Sequence, residues 1–207
     1  MQKKLIIFDM DGTLVNSSLT IANAINYVRK QLGFAPMETS KILNAVNDHT
    51  LNPAQTFYHA KTFDADHEKW FSEYYTQNHD KELTLYEGIK DLLIALKKKG
   101  YLLAVATNAY RQSTIESLEY LEIYPLFDAI VCYDDVPQGK PHPDMLYTLL
   151  DQLHCKANET LFIGDGPRDE MAAKKANIAY IMVDWGFTEH TNALRDVKDL
   201  TQVLLDV

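Results

Sequence analysis

Short apolar runs recur along the chain, and each lies beside a polar turn. The first run, Leu5 to Phe8, is rich in strand-forming residues and stops at an acidic turn that contains glycine. A continuous apolar run of this length is typical of a parallel strand buried on both faces. Similar runs follow at Leu102 to Ala106, Ala129 to Cys132, Leu161 to Ile163 and Ile178 to Val183. Each is predicted to be a strand.

Helical patterns separate these strands. In the segment after residue 88, apolar residues recur at spacings of three and four and so lie on one face of a predicted helix. A second amphipathic segment begins at Pro143. The first face consists of Ile89, Leu92, Leu93 and Leu96. Strands that alternate with helices predict an α/β fold with a doubly wound, Rossmann-like parallel sheet.

The region from Ser17 to Leu85 interrupts this alternation. It lacks a convincing apolar strand and is rich in aromatic residues at helical spacing. We interpret it as an inserted helical module whose aromatic residues mostly form its own core. The predicted organisation is a core domain of residues 1–16 and 86–207, with the helical module at 17–85.

Composition narrows the function. The chain has 207 residues and a formal charge of −9, which disfavours a protein that binds nucleic-acid phosphates. The apolar run near the N-terminus ends at Asp9, too early for a signal peptide or a membrane span. The only two cysteines, Cys132 and Cys155, favour a reducing compartment, so the cytoplasm is the expected location.

Candidate site residues follow the predicted strands directly. In a doubly wound sheet, ligands bind outside the carboxyl ends of the strands. That rule selects Asp9 and Asp11 after the first run, Thr107 and Asn108 after the second, Lys140 in the loop beyond the third, and Asp165 with Asp169 after the fourth. Hydroxyl and amide groups bind phosphate oxygens, an ammonium offsets their charge, and carboxylates hold a hard divalent cation.

Two carboxylates flank Met10, and they can do different work. Asp9 could be a covalent nucleophile and metal ligand while Asp11 handles protons. The same residues are also common in a helix-capping turn, and taken alone the segment leaves both interpretations open.

Four segments together carry a family resemblance: DMDGTLVNS, ATNA, GKPHPD and GDGPRD, in this order. They resemble the four ordered motifs of the haloacid dehalogenase superfamily over almost the whole chain. The likeness is closest to the branch with a helical cap after the first motif, as in phosphoglycolate phosphatase and its relatives, and it includes the DDV segment at 134–136. The resemblance identifies the helical module as the cap.

The resemblance implies a mechanism. Asp9 attacks phosphorus to form an aspartyl-phosphate, and Asp11 protonates the leaving alkoxide and later takes a proton from water. Mg²⁺ is implied as the cofactor, held by the Asp9 carboxylate, the Asp11 backbone carbonyl, Asp165 and Asp169. The implied phosphate-binding residues are Thr107, Asn108 and Lys140. The expected protein is a Mg²⁺-dependent phosphohydrolase of a small phosphorylated metabolite, acting as a monomer or homodimer.

Several alternative functions fit these sequence features less well. Asp11 favours phosphate esters over halides, and no histidine occupies the position that resembles the added residue of sugar-phosphate mutases. A phospho-accepting signalling domain fits poorly because its acceptor would follow a middle strand, in a domain without a helical insert. Substrates that remain open are phosphoglycolate, a sugar phosphate, a nucleotide and pyrophosphate.

Two loops carry further expectations. The cap loop Asn47 to Asn52 is the expected specificity segment, and it lacks a glycine often found there in phosphoglycolate phosphatases. Asp134 and Asp135 form either a solvated acidic turn or a support for Lys140, with the support role favoured by the resemblance.

Overall fold

The computed structural model describes residues 4–48, 50–186 and 192–205. The chain divides into two units, Met1–Asn16 with Thr84–Val207, and Ser17–Leu83. The strands are β1 (Leu5–Phe8), β2 (Val15–Asn16), β3 (Thr84–Leu85), β4 (Leu102–Ala106), β5 (Ala129–Val131), β6 (Thr160–Gly164) and β7 (Ala179–Met182). The helices are α1 (Ser18–Gln31), α2 (Thr39–Asn47), α3 (Pro53–Tyr58), α4 (Ala65–Glu82), α5 (Ile89–Lys98), α6 (Arg111–Tyr120), α7 (Asp144–Gln152), α8 (Pro167–Ala176) and α9 (Val197–Leu205).

Five parallel strands form the sheet of the first unit, in the order β5-β4-β1-β6-β7. The central strand, β1, pairs with β4 on one side and with β6 on the other, so that Leu5 is in register with both Leu102 and Thr160. This arrangement confirms the α/β fold predicted from the alternating pattern. It also brings the carboxyl ends of β1, β4 and β6 to one edge.

The bounds of β5, β6 and β7 differ by one residue from the predicted runs, and one two-stranded ribbon was not predicted. The run that begins at Ala129 ends at Val131, because Cys132 caps a 3₁₀ turn and donates its backbone N–H to the Asp135 carboxylate at 2.7 Å. Thr84 and Leu85, which we had included in the helical module, pair instead with Val15–Asn16 as a two-stranded antiparallel ribbon. So short a strand has no periodicity that a sequence pattern could reveal.

The core of the first unit follows the predicted hydrophobic faces. All residues of β1 are at most 1% exposed, as expected for a strand covered on both sides. The predicted face of α5 is buried, and Lys97 and Lys98 occupy its last turn, where they complement the helix dipole. A hydrophobic cluster that includes Phe162 packs α7 and α8 against the sheet.

The second unit is helical and has its own core. Residues of α1 and α2 pack with Phe57 and Tyr58, and Trp70 and Phe71 cover the cluster. The rings of Tyr27 and Tyr74 join α1 to α4 with centroids 5.5 Å apart. Most of these aromatic residues therefore build the unit's own core, as the sequence predicted. Among the helices of the described residues, none has the length and apolar character needed to cross a bilayer.

A buried arginine ties the helical unit together. Arg29 is 8% exposed, and its guanidinium donates to the carbonyl of Ala35 at 2.9 Å and to that of Phe57 at 2.5 Å. It also lies over the ring of Phe34, 5.6 Å from the centroid. One side chain thus satisfies two carbonyls from separate parts of the unit.

Replacing Arg29 by alanine should therefore destabilise the protein. Because the buried carbonyl of Phe57 and the carbonyl of Ala35 lose their donor, and a buried side chain is removed, we expect Arg29→Ala to lower the free energy of unfolding by about 3 kcal/mol in urea titration. The control is Lys30→Ala, which removes an exposed cation from the next position of the same helix and should change stability by less than about 0.5 kcal/mol. Equal stability of the two variants would contradict the assigned role.

Candidate active site

Three carboxylates meet at the carboxyl edge of the sheet. Asp9 directly follows β1, Asp165 directly follows β6, and Asp169 lies in the first turn of α8. The backbone N–H of Asp9 donates to the carbonyl of Ile163 at 2.8 Å, which keeps the two strand ends together beyond the last paired residues. One oxygen from each carboxylate lies within 4.8 Å of the others. The strand order therefore gathers residues that are far apart in sequence.

The Lys140 ammonium bridges two of these carboxylates. Its Nζ lies 2.5 Å from Oδ1 of Asp9 and 2.6 Å from Oδ1 of Asp169. Lys140 and both acids are buried, with Lys140 only 6% exposed. A buried charge of this kind is tolerated when it is paired on more than one side, as it is here.

The electrostatics of the cluster reflect an excess of negative charge. Burial, with smaller contributions from the Asp169 and Asp11 carboxylates, raises the pKa of Asp9 to about 7 against the lowering effect of the Lys140 ammonium. Burial and the neighbouring Asp9 and Asp169 carboxylates also raise the pKa of Asp165 well above its ordinary value. Although burial alone would lower the pKa of Lys140, Asp169 and Asp9 outweigh it and raise that pKa. The site thus favours any added cation.

Two glycines make room for the carboxylates. Gly12 has φ +80, and a Cβ there would lie 2.1 Å from Oδ2 of Asp165. A Cβ on Gly164 would lie 2.6 Å from the Cβ, Cγ and Oδ2 of Asp169. Sequence reasoning did not single out either glycine, although each lies within one of the motifs. A glycine next to a candidate acid is the signal that could have found them.

Two aromatic residues support the loops of the site, and neither was assigned this role from sequence. Tyr180, on β7, donates its hydroxyl to the carbonyl of Gly164 at 2.9 Å, which fixes the peptide before Asp165. Trp185 donates its indole N–H to the carbonyl of Thr13 at 2.9 Å, and its ring lies 5.9 Å from that of Tyr86. Trp185 is therefore packed against the loop after β1.

Asp11 lies in a tight loop that returns the chain to β2. The carbonyl of Met10 accepts the N–H groups of Leu14 and Val15, both at 2.9 Å, and Asp11 forms an isolated bridge with Val15. The loop holds Asp11 half-buried and near enough to Asp9 to raise its pKa. Asp11 is thus placed beside the three-carboxylate cluster, which is formed by Asp9, Asp165 and Asp169.

Thr107 and Asn108 follow β4 at the same edge. Thr107 is buried, and its Oγ1 accepts the N–H of Ala109 at 3.1 Å, so the hydroxyl proton can be donated to an anion. The Asn108 side chain is engaged by Lys140: its Nδ2 donates to the Lys140 carbonyl and its Oδ1 accepts the Lys140 N–H, both at 2.9 Å. All seven residues predicted for the site therefore lie at the carboxyl edge of the sheet.

The acidic pair after β5 has a different partner from the one favoured by sequence. Asp135 accepts from Arg111 Nη2 at 2.5 Å and Nε at 2.7 Å, and Asp134 accepts the Arg111 backbone N–H at 2.8 Å. Arg111 holds the pKa of Asp135 below its ordinary value through these hydrogen bonds. The pair holds the start of α6, whose first residue is Arg111, instead of supporting Lys140 as the resemblance favoured.

The expected specificity loop of the helical unit is only partly described. His49 lies outside the described residues. At its end, the Asn52 side chain accepts the N–H of Gln55 at 3.1 Å and caps α3. Asp48 accepts both the N–H and the hydroxyl of Thr50. Local turn chemistry accounts for these contacts.

The residues present fit a divalent cation of the hard, oxygen-binding kind. Asp9, Asp165 and Asp169 offer three carboxylate oxygens, and with Lys140 their formal charges sum to −2 when all are ionised. Oxygen ligands and this excess charge suit Mg²⁺ or a similar ion. The close approach that Gly12 and Gly164 permit keeps the carboxylates together.

Comparisons with known proteins agree with this geometry. A family model described as haloacid dehalogenase-like hydrolase matches residues 6–183. Phosphoglycolate phosphatase from Pasteurella multocida is 31% identical over 196 residues, which cover 90% of this chain and 88% of that protein. Pyrophosphatase PpaX from Oceanobacillus iheyensis is 28% identical and covers 100% of this chain and 99% of that one.

Solved structures share the fold. The crystal structure of CbbY from Rhodobacter sphaeroides in complex with phosphate superposes with a TM-score of 0.82 at 25% identity, covering 100% of each chain. The crystal structure of a protein described as a predicted phosphatase from Clostridium acetobutylicum has a TM-score of 0.87 at 24% identity, again over 100% of each chain. The second likeness concerns the fold alone.

A methyl group at Gly12 tests the steric basis of the cluster. We expect Gly12→Ala to weaken Mg²⁺ binding at least about tenfold, because the new Cβ displaces Asp165. The matched control is Gly100→Ala, which has φ +86 but no atom within 4 Å of the added Cβ. Backbone strain should lower the free energy of unfolding of both variants by about 1 kcal/mol, because both glycines have positive φ.

Thermal unfolding with and without Mg²⁺ separates the two effects. We expect Mg²⁺ to raise the Tm of the wild type and of Gly100→Ala, and to raise that of Gly12→Ala much less or not at all. An equal increase in both variants would contradict the steric role of Gly12.

Proposed function

Because the chain belongs to the haloacid dehalogenase-like hydrolase family, we propose that it is a Mg²⁺-dependent phosphatase that passes a phosphoryl group through Asp9 to water. One observation carries the proposal: a buried carboxylate at a strand end is paired with a buried ammonium and surrounded by two further carboxylates. That set provides a nucleophile, a cation-binding site and positive charge for phosphate oxygens. Relatives named phosphatase and pyrophosphatase support it.

The metal site of the proposal uses residues already gathered at the sheet edge. Asp9, Asp165 and Asp169 supply carboxylates, and the Asp11 backbone carbonyl completes the protein's share of ligands. When bound, Mg²⁺ supplies positive charge that offsets the charge of the transferring phosphoryl group. Tyr180 steadies the Asp165 loop through its hydrogen bond to Gly164.

The first step transfers phosphorus to the protein. An Asp9 carboxylate oxygen forms a bond to phosphorus while the ester P–O bond breaks, and Asp11 gives its proton to the departing alkoxide. The contact between Lys140 and Asp9 orients the attacking carboxylate and helps to keep it ionised. Asp9 must be deprotonated to attack, so the Lys140 ammonium opposes the burial that raises its pKa.

The second step releases inorganic phosphate. Asp11, now a carboxylate, takes a proton from water as the water oxygen attacks phosphorus and the bond from phosphorus to Asp9 breaks. Asp9 is regenerated as a carboxylate and Asp11 as an acid, so atoms and charge balance over the cycle. Throughout, Thr107 and Lys140 supply donors for the phosphate oxygens, and Asn108 holds the Lys140 backbone beside them.

The substrate in this proposal is a small phosphorylated metabolite. Phosphoglycolate is supported by the 31% identity to a phosphoglycolate phosphatase, and pyrophosphate by a relative that spans the whole chain. Sugar phosphates and nucleotides belong to the same reaction class and form the remaining candidates. We assign the choice among them to residues of the helical unit, Ser17–Leu83.

A cytoplasmic location completes the proposal. Both cysteines, Cys132 and Cys155, are free thiols, and burial raises the pKa of the Cys132 thiol to about 11. Two unpaired thiols in a phosphatase are what a reducing compartment permits.

Substitutions of Asp9 and Asp11 test their separate roles as nucleophile and general acid. With phosphate release as the assay, Asp9→Asn should lower kcat at least about a thousandfold, because it removes the nucleophile. Asp11→Asn should lower kcat/KM about a hundredfold or more for glycerol phosphate, and much less for p-nitrophenyl phosphate, whose leaving group needs no proton.

The control is Asp151→Asn, an exposed acid of α7, which should keep wild-type rates. Retention of more than about a tenth of the activity by Asp9→Asn would contradict the nucleophile assignment. An equal effect of Asp11→Asn on both esters would contradict the general-acid role.

Removal of divalent ions tests the metal requirement. Treatment with EDTA should abolish phosphate release, and added Mg²⁺ should restore it. Because Asp165 is a ligand in this proposal, Asp165→Asn should raise the Mg²⁺ concentration for half-maximal activity at least about tenfold. Full activity after exhaustive chelation would refute the metal site.

A further inference from the structure

The Asn108 side chain is joined to the Lys140 peptide at both of its polar ends. Nδ2 donates to the Lys140 carbonyl oxygen and Oδ1 accepts the Lys140 N–H, each at 2.9 Å. The Asn108 carboxamide thus donates one hydrogen bond to the Lys140 backbone and accepts another from it, as the backbone of a neighbouring β-strand would. Residues 32 apart in sequence are thereby held as one rigid unit.

The other end of Lys140 has equally strict requirements. Its Nζ must reach Asp9 at 2.5 Å and Asp169 at 2.6 Å, inside a buried cluster. The four-carbon stem of a lysine side chain is flexible, so its ammonium can be placed this accurately only if the lysine backbone is itself held in position. Asn108 supplies that starting point from the loop after β4.

A glycine beside Lys140 makes the contact possible. A Cβ on Gly139 would lie 2.7 Å from Oδ1 of Asn108 and 2.7 Å from Cδ2 of Tyr133. The Tyr133 side chain is 46% exposed and can move aside. Asn108, bound on two sides, cannot move without losing Lys140, so Gly139 is required for the amide to approach the Lys140 peptide.

We propose that Asn108 is a positioning residue that acts through Lys140, holding the ammonium on Asp9, rather than a side chain that binds substrate phosphate itself. Nδ2 and Oδ1 of its amide each form a hydrogen bond to the Lys140 backbone, which fixes the orientation of the amide. The inference rests on the proposed phosphatase function, which it deepens. It predicts that Asn108 matters only when Lys140 is present.

A double-mutant cycle on kcat tests this dependence. With p-nitrophenyl phosphate and saturating Mg²⁺, Asn108→Ala should lower kcat about 10- to 100-fold, as expected for a misplaced charge, while KM changes less than about threefold. In the Lys140→Ala background, Asn108→Ala should change kcat by less than about twofold. Multiplicative losses in the double variant would show that Asn108 acts independently of Lys140 and would overturn the proposal.

A second variant reaches the same contact without changing Asn108. Gly139→Ala should reproduce the kcat loss of Asn108→Ala, and the two together should be no worse than either alone. Asn158→Ala, an exposed asparagine before β6 at the opposite end of the sheet, is the matched control and should retain wild-type kcat. A normal kcat in Gly139→Ala would contradict the assigned geometry.

Amide hydrogen exchange gives a readout that needs no activity. In ¹⁵N-labelled protein, Asn108→Ala should speed exchange of the Lys140 N–H at least about tenfold and leave the Val105 N–H of β4 unchanged. If the wild type released no phosphate from any ester, the phosphatase proposal would fail, but this difference in exchange would still report the hydrogen bonds between Asn108 and the Lys140 backbone. Unchanged exchange at Lys140 would refute the positioning role whatever the activity.

Discussion

The interaction on which the site depends is the buried ammonium of Lys140 shared between Asp9 and Asp169. A buried, unpaired charge is costly, and removal of one partner of such a group leaves the others uncompensated. The three residues lie beyond the carboxyl ends of three different strands, so the ion pairs form only when β1, β5 and β6 end at the same edge of the sheet. The sheet order and the charge network therefore support each other.

The charge network also explains why the surrounding residues are small or hydrogen-bonded. Carboxylates can approach this closely only where Gly12 and Gly164 have no side chain. Tyr180 fixes the peptide before Asp165, and Asn108 fixes that of Lys140. Together these contacts set distances at which a cation and a phosphoryl group can be held without reorganisation, which is the main demand of phosphoryl transfer on a protein.

Much of the fold could be predicted from sequence, because the buried parallel strands have clear hydrophobic signatures. Leu5 to Phe8 and Leu102 to Ala106 were predicted with the exact bounds that the structure shows. The short ribbon at Thr84–Leu85 could not be found, since two residues carry no periodicity. Side-chain partners were harder to predict: the family resemblance favoured a role for Asp135 in supporting Lys140, but in the fold its carboxylate pairs with Arg111.

The site residues were selected by a rule about strand ends, and the structure places all of them at that edge. The rule could not say which polar groups would be used by substrate and which by other protein groups. Asn108 was expected at the phosphate on the strength of its motif, and only the three-dimensional contact with the Lys140 peptide reveals its engagement. A sequence lists donors and acceptors, but the fold decides their partners.

Trapping the phosphorylated protein tests the central claim most directly. The Asp11→Asn variant, which keeps the nucleophile but lacks the base for the second step, would be mixed with Mg²⁺ and p-nitrophenyl phosphate, quenched in acid within one turnover, digested and analysed by mass spectrometry. We predict that one phosphoryl group is found on the peptide that contains Asp9, and that Asp9→Asn abolishes it. Phosphate release with no phosphorylated peptide at any quench time, or a phosphoryl group on another residue, would contradict the account.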